Sequence, residues 1–229
     1  MNDAALTLLL YAILPLWLVA GVADWLCHRA SHIECTTGAK ETLIHLLMLA
    51  EIGVPLGAAI FLQVDAALFA LMIAAFFVHE LTALWDVSYA ITGRVVTPIE
   101  QHVHSFLEMI PLMALLALAE RHWPQLLALF GQGTEAADWS WRRKQEALPT
   151  GYVATIFTGI VLFEVLPYVE ELLRGLRAAG GALLPPRGSP REAPIVRSRA
   201  RRSTPRAALD GRRRGTEIAA EQYDREEFL

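Results

Sequence analysis

Apolar residues dominate five long runs in the first 175 positions of the chain, and short polar segments separate these runs. The runs cover residues 5–26, 42–62, 66–89, 99–119 and 151–172. A helix needs about 20 apolar residues to cross the hydrocarbon core of a bilayer, and each run reaches that length. The pattern therefore predicts an all-α integral membrane protein, with a bundle of about five transmembrane helices in residues 1–176.

The composition changes towards the end of the chain. Residues 177–229 are rich in Pro, Gly, Ser and Arg and poor in aromatic residues, which predicts a disordered tail. Thirteen of the 20 Lys and Arg residues lie at or after Arg174. Such basic segments remain in the cytoplasm. With five spans the N-terminus then lies outside, and the expected location is a bacterial inner membrane.

The start of the fourth span can be read from its residues. Thr97 is followed by Pro98 and, three positions on, by Glu100. A Thr with a Glu three residues later forms a capping box, and proline is favoured at the first position of a helix. We therefore expect this helix to begin at Pro98.

Histidines gather near one predicted end of the bundle. Six of the seven lie between positions 28 and 104, at or near the cytoplasmic ends of four spans. These six are His28 and His32 after the first span, His45 in the second, His79 in the third, and His102 and His104 in the fourth.

Carboxylates lie in register with these histidines. Positions four or seven apart share one face of a helix. If the first span continues as helix, Asp24, His28, His32 and Cys35 share one face; the other sets in register are Glu41 and His45, His79 and Asp86, and Glu100 and His104. Since His102 and His104 are two positions apart, a regular helix points them about 160° from each other. Of these two, His104 is the stronger candidate.

Imidazoles and carboxylates that project inward from facing helices are typical of a metal site in a bundle. The predicted ligands are His28, His32, His45, His79, His102, His104, Asp24, Glu41, Asp86 and Glu100. Their number suits two ions, or one ion with residues that orient its ligands. Each residue also has a simpler interpretation. A histidine can be a packing residue, Glu100 can cap the helix, and Glu41 can interact favourably with the helix dipole near the N-terminus.

The motif HRASH, a His-x-x-x-His at positions 28–32, and the later histidines at the same ends of the spans resemble the histidine-box membrane di-iron proteins. These include fatty acid desaturases, fatty acid hydroxylases and alkane hydroxylases. The resemblance covers residues 20–110. It implies two iron ions, O2-dependent hydroxylation or desaturation of a lipid or other apolar substrate, and an external electron donor such as a reductase or ferredoxin.

The chain departs from that family in two respects. It has no His-x-x-His-His box, and it offers six histidines where eight or more are usual, so carboxylates would have to replace the missing imidazoles. Other interpretations stay open: a haem-binding electron-transfer protein that uses a pair such as His45 and His79, a transporter or sensor of a divalent metal such as zinc, or a membrane anchor for the basic tail. Two cysteines are too few for a disulfide framework. No nucleic-acid partner is expected.

Overall fold

The computed structural model describes residues 4–184 of the chain. Most of the predicted disordered tail, from position 185 onward, lies outside the described residues. Within the described range, 77% of the residues are helical and no strand is present, which confirms the all-α prediction. The helices are α1 (Ala4–Ser31), α2 (Ile33–Thr36), α3 (Ala39–Phe61), α4 (Ala66–Ala90), α5 (Pro98–Arg121), α6 (Trp123–Leu129) and α7 (Thr150–Ala178).

Five of these helices, α1, α3, α4, α5 and α7, are long and apolar enough to cross a membrane. All five predicted runs fall on them, but several helices continue past the apolar run into polar residues. One such extension is in α1, which continues to Ser31 instead of ending near position 26. Hydropathy cannot detect this last turn because its residues are polar, although they remain helical.

The ends of two helices are fixed by side-chain caps. Thr97 Oγ1 accepts a hydrogen bond from the backbone N–H of Glu100, whose carboxylate accepts one from the N–H of Thr97. The predicted capping box and the start of α5 at Pro98 are therefore confirmed. Asp65 caps α4 by accepting a bond from the N–H of Leu68.

Two helices each contain one wider π-helical turn, at Leu9–Ile13 in α1 and at Val161–Val165 in α7. A π turn bonds residue i to i+5 and holds one residue more than an α-helical turn. The residues that follow it therefore face a different direction from those of an unbroken α-helix.

The bundle has apolar side chains outside and many charged ones inside. Val19, Leu81 and Leu84 are each at least 65% exposed, which suits helices surrounded by lipid. At one end of the bundle many buried side chains are acidic or imidazole groups, Asp24 and His28 among them. The other end has an apolar core that includes Leu9, Ile13, Trp17, Phe69 and Leu118.

A close helix contact holds α7 against the beginning of α3. A Cβ atom added to Gly175 would lie 3.0 Å from the backbone nitrogen of Ala39 and 3.1 Å from its Cα. Since these are backbone atoms, they cannot move aside as a flexible side chain would. Gly175 therefore lets the two helices approach.

We expect Gly175→Val to destabilise the protein by about 1–3 kcal/mol, because the branched side chain forces α7 away from α3. Gly57→Val is the matched control, since nothing lies within 4 Å of a Cβ at Gly57 in α3. Thermal unfolding in detergent measures both. Equal unfolding temperatures for the two variants would contradict this account of the contact.

Candidate metal centre

Four buried side chains from three helices meet at the polar end of the bundle. They are Asp24 and His28 of α1, His45 of α3 and His104 of α5, and each offers a ligand atom within 4.8 Å of the others. All four are at most 6% exposed.

α3 and α5 both begin at this end of the bundle, and both carry a glutamate and a histidine at equivalent positions. Glu41 and His45 are the third and seventh residues of α3, and Glu100 and His104 are the third and seventh residues of α5. Residues four apart lie one above the other on a helix. Both helices therefore deliver a carboxylate and, one turn further in, an imidazole.

Asp24 lies at the centre of the group. Its Oδ1 is 2.8 Å from Nε2 of His104, and its Oδ2 is 3.5 Å from Nε2 of both His28 and His45. The hydroxyl of Tyr168 in α7 donates a hydrogen bond to the same Oδ2 at 3.0 Å. A single carboxylate thus contacts groups from four helices.

Hydrogen bonds fix the tautomer of His45. Its Nδ1 lies 2.9 Å from the backbone carbonyl oxygen of Glu41, and a carbonyl can only accept, so Nδ1 carries the proton. In the neutral ring Nε2 then has a free lone pair. This Nε2 points between Asp24 and Asp86, the latter at 3.6 Å, and is buried without a hydrogen-bond partner among the described residues.

His28 is held in the same way. Its Nδ1 is 3.1 Å from Oε2 of Glu171 in α7, and Thr42 donates to the other oxygen of that carboxylate at 2.9 Å. Nε2 of His28 faces Asp24 and Glu100, at 3.5 and 3.7 Å, and is also buried without a hydrogen-bond partner in the described part of the chain. A histidine whose second nitrogen is held by a carboxylate is the usual arrangement of a metal ligand.

The distances between the facing imidazole nitrogens and carboxylate oxygens suit ligands of one metal ion better than direct hydrogen bonds. Distances of 3.5–3.7 Å between imidazole nitrogens and carboxylate oxygens exceed the range of an N–H···O bond, which is about 2.7–3.2 Å. Ligand atoms 2.0–2.2 Å from one tetrahedral ion are about 3.3–3.6 Å apart. The group is therefore spaced as a ligand set, apart from the shorter contact of His104 with Asp24.

A second group adjoins the first and contains an arginine. His28, Glu41 and Glu100 also offer ligand atoms within 4.8 Å of one another, and all three are fully buried. Arg94, in the loop between α4 and α5, contacts both glutamates. Burial alone would lower the pKa of the Arg94 guanidinium, but the contacts with Glu100 and Glu41 outweigh it and hold the pKa above its usual range.

The fifth span contributes three residues that the sequence analysis missed. Glu164, Tyr168 and Glu171 of α7 are all buried; Tyr168 contacts Asp24 and Glu171 contacts His28. These residues are four and seven positions apart, the same spacing that identified the other candidates. This spacing is visible in the sequence, but the fifth span contains no histidine that would mark it as part of the site.

Three predicted ligands lie away from the group. His32 has a left-handed backbone (φ 52°), which ends α1 and leaves its side chain 75% exposed next to Glu34. The expected continuation of the helix through His32 is therefore wrong. His102 is exposed and packs on Phe106, as the two-residue spacing from His104 indicates. His79 is buried but lies deeper, 3.7 Å from Glu51.

A cavity adjoins the group on the side of α4. About 50 Å³ of it is free for the centres of water-sized molecules, which is room for about three or four waters. Imidazoles and carboxylates form its polar wall, including His45, His79, Asp86 and His104. A small molecule in this cavity would touch the same imidazoles that face Asp24.

Comparison of the chain with protein-family models, with curated proteins and with solved structures finds no match.

We expect Tyr168→Phe to destabilise the protein by about 1–3 kcal/mol, because it removes a donor to the buried Asp24 carboxylate. Tyr11→Phe is the control, since Tyr11 is 68% exposed at the apolar end of the bundle. Unfolding in mixed detergent micelles measures both variants. A loss no greater than that of Tyr11→Phe would mean that the hydroxyl bond contributes nothing measurable to stability.

Proposed function

We propose that this protein is a membrane-embedded metalloenzyme that oxidises an apolar substrate with O2. Asp24, His28, His45 and His104 would hold the ion, which we expect to be iron; Nε2 of His104 would exchange its hydrogen bond with Asp24 for the ion. The observation that carries the proposal is the pair of buried Nε2 atoms, on His28 and His45. Both have a fixed tautomer, and both point at carboxylates without a hydrogen bond.

The donor set supports iron among the possible ions. Imidazoles with one or two carboxylates and open positions are the ligands of non-haem iron oxygenases. The iron would supply the activation of O2. In hydroxylation one oxygen atom enters a C–H bond and the other leaves as water, with two electrons and two protons from an external reductase. In desaturation both oxygen atoms leave as water.

The shape and lining of two neighbouring spaces, the cavity beside His45 and a crevice next to it, favour an apolar substrate. The cavity beside His45 also has apolar walls, including Trp17 and Ile52. The same two residues line a larger crevice that runs through the apolar half of the bundle. Its lining is almost entirely aliphatic and aromatic, so an alkyl chain from the bilayer is the kind of molecule that it accommodates.

The other interpretations have less support. Haem ligation by a pair such as His45 and His79 would leave Asp24 and Asp86, the carboxylates that face His45, without a role, which disfavours haem. Transport would favour ligands along the full depth of the membrane, whereas the described imidazole–carboxylate group lies at one end and the other end is apolar. Zinc suits the same donor atoms. Element analysis of the purified protein therefore has to decide between zinc and iron.

We also propose that the site lies at the cytoplasmic end of a bacterial inner-membrane protein, where the reductase would meet it. The basic residues at and after Arg174 support this orientation.

We expect His45→Ala to lower the bound metal at least tenfold, because it removes a ligand nitrogen that faces Asp24 and Asp86. His102→Ala is the matched control: it removes an exposed imidazole from the same end of the bundle. Element-resolved mass spectrometry of detergent-purified protein gives metal per chain. Equal metal content in the two variants would refute the ligand assignment.

Iron-loaded protein in lipid vesicles, supplied with a chemical reductant and O2, should produce hydroxylated or desaturated alkyl chains. His45→Ala should lower the yield to the background of free iron. Mass spectrometry of the extracted lipids, with ¹⁸O2 as the oxygen source, detects the label in a hydroxyl group. Absence of any oxidised product from fully loaded protein, across alkane, fatty acid and phospholipid substrates, counts against the reaction but leaves the metal site standing.

A further inference from the structure

Arg94 is placed between the two carboxylates of the second group by contacts on several sides. Its Nε lies 3.1 and 3.3 Å from the two oxygens of Glu41, and its Nη2 contacts Glu41 and lies 2.5 Å from Oε1 of Glu100. The side chain of Arg94 is only 3% exposed. The guanidinium therefore fills the space between these carboxylates.

The backbone also holds Arg94 in position. A Cβ atom on the preceding residue, Gly93, would lie 2.8 Å from Cγ2 of Thr37 in the turn before α3. A larger residue at position 93 would require this methyl group to move, so glycine allows the loop before α5 to lie close to that turn. The close approach of the loop positions the guanidinium next to Glu41, in the first turn of α3.

The two ligand groups cannot both use His28. His28 belongs to both groups, and its Nε2 faces both Asp24 and Glu100, at 3.5 and 3.7 Å. A ring nitrogen has one lone pair and binds one ion, unlike a carboxylate, which can bridge two ions through its two oxygens. If His28 binds the ion beside Asp24, the second group keeps only Glu41 and Glu100, and Arg94 already contacts both.

The need to neutralise the buried Glu41 and Glu100 carboxylates also argues against a second ion. A buried carboxylate without a cation costs several kcal/mol in lost hydration. Arg94 remains charged at every physiological pH, so it neutralises Glu41 and Glu100 whether or not a metal is present. A second ion would have to displace a charged, hydrogen-bonded group that is tethered to the protein.

We infer that Arg94 takes the place of a second metal ion, and that the centre holds one ion beside a permanent cation supplied by the chain. This inference rests on the proposed metal site and settles its number of ions. Arg94 acts as a positioning residue: it holds the side chain of Glu41, whose backbone carbonyl fixes the proton on Nδ1 of His45.

The test titrates Co²⁺ into metal-free protein and measures how many equivalents bind. The visible absorption of bound Co²⁺ reports each ion. Wild-type protein should saturate at one equivalent. Arg94→Gln should saturate at two, because Glu41 and Glu100 are then free to bind. Arg94→Lys, which restores a cation, should return to one. Arg29→Gln is the control, since Arg29 pairs with Glu170 on the surface of the same end.

Two equivalents in the wild type would overturn the inference, and so would one equivalent in folded Arg94→Gln protein. If that variant does not fold, the wild-type count still decides whether the centre holds one ion. No binding to the wild type would defeat the metal site itself, and with it the proposed function. An element count on protein purified without added cobalt gives an independent check of the same number.

Discussion

The carboxylate of Asp24 is fully buried, and the arrangement of the polar end of the bundle depends on it. Neither water nor lipid can solvate this charge, so neighbouring helices have to supply the compensating groups. His104 of α5 and Tyr168 of α7 hydrogen-bond this carboxylate, while His28 of the same helix and His45 of α3 face it at 3.5 Å. Because these groups must all reach one side chain, the contacts with Asp24 constrain the positions of the four helices at this end.

Much of the fold follows from the sequence because the membrane imposes simple rules on it. Apolar runs of sufficient length had to be helices, and the helical repeat placed His104 inward and His102 outward. The helical repeat predicts the wrong direction for His32, because this single residue in the left-handed conformation ends α1. Neither hydropathy nor helical phase indicates such a residue. Arg94 was also missed as part of the site, since its loop position has no helical phase. Only the folded loop shows that it reaches Glu41.

In the proposed reaction the polar half of the bundle would hold the metal ion, and the apolar half would hold the substrate. One half fixes imidazoles and carboxylates in place through hydrogen bonds to groups such as Glu171 and the carbonyl of Glu41. The other half offers a crevice with aliphatic walls. Trp17 and Ile52 border both spaces. A substrate dissolved in the bilayer could thus approach the ligand group without first passing through water.

The π turn at Val161–Val165 has a consequence for how this chain can vary. Its extra residue rotates everything after it by about 100° around the axis of α7, and this rotation sets the direction of Tyr168 and Glu171. Loss of one residue there would give a more regular helix and yet turn both side chains away from α1. The number of residues in this segment therefore keeps the fifth span in phase with the other four.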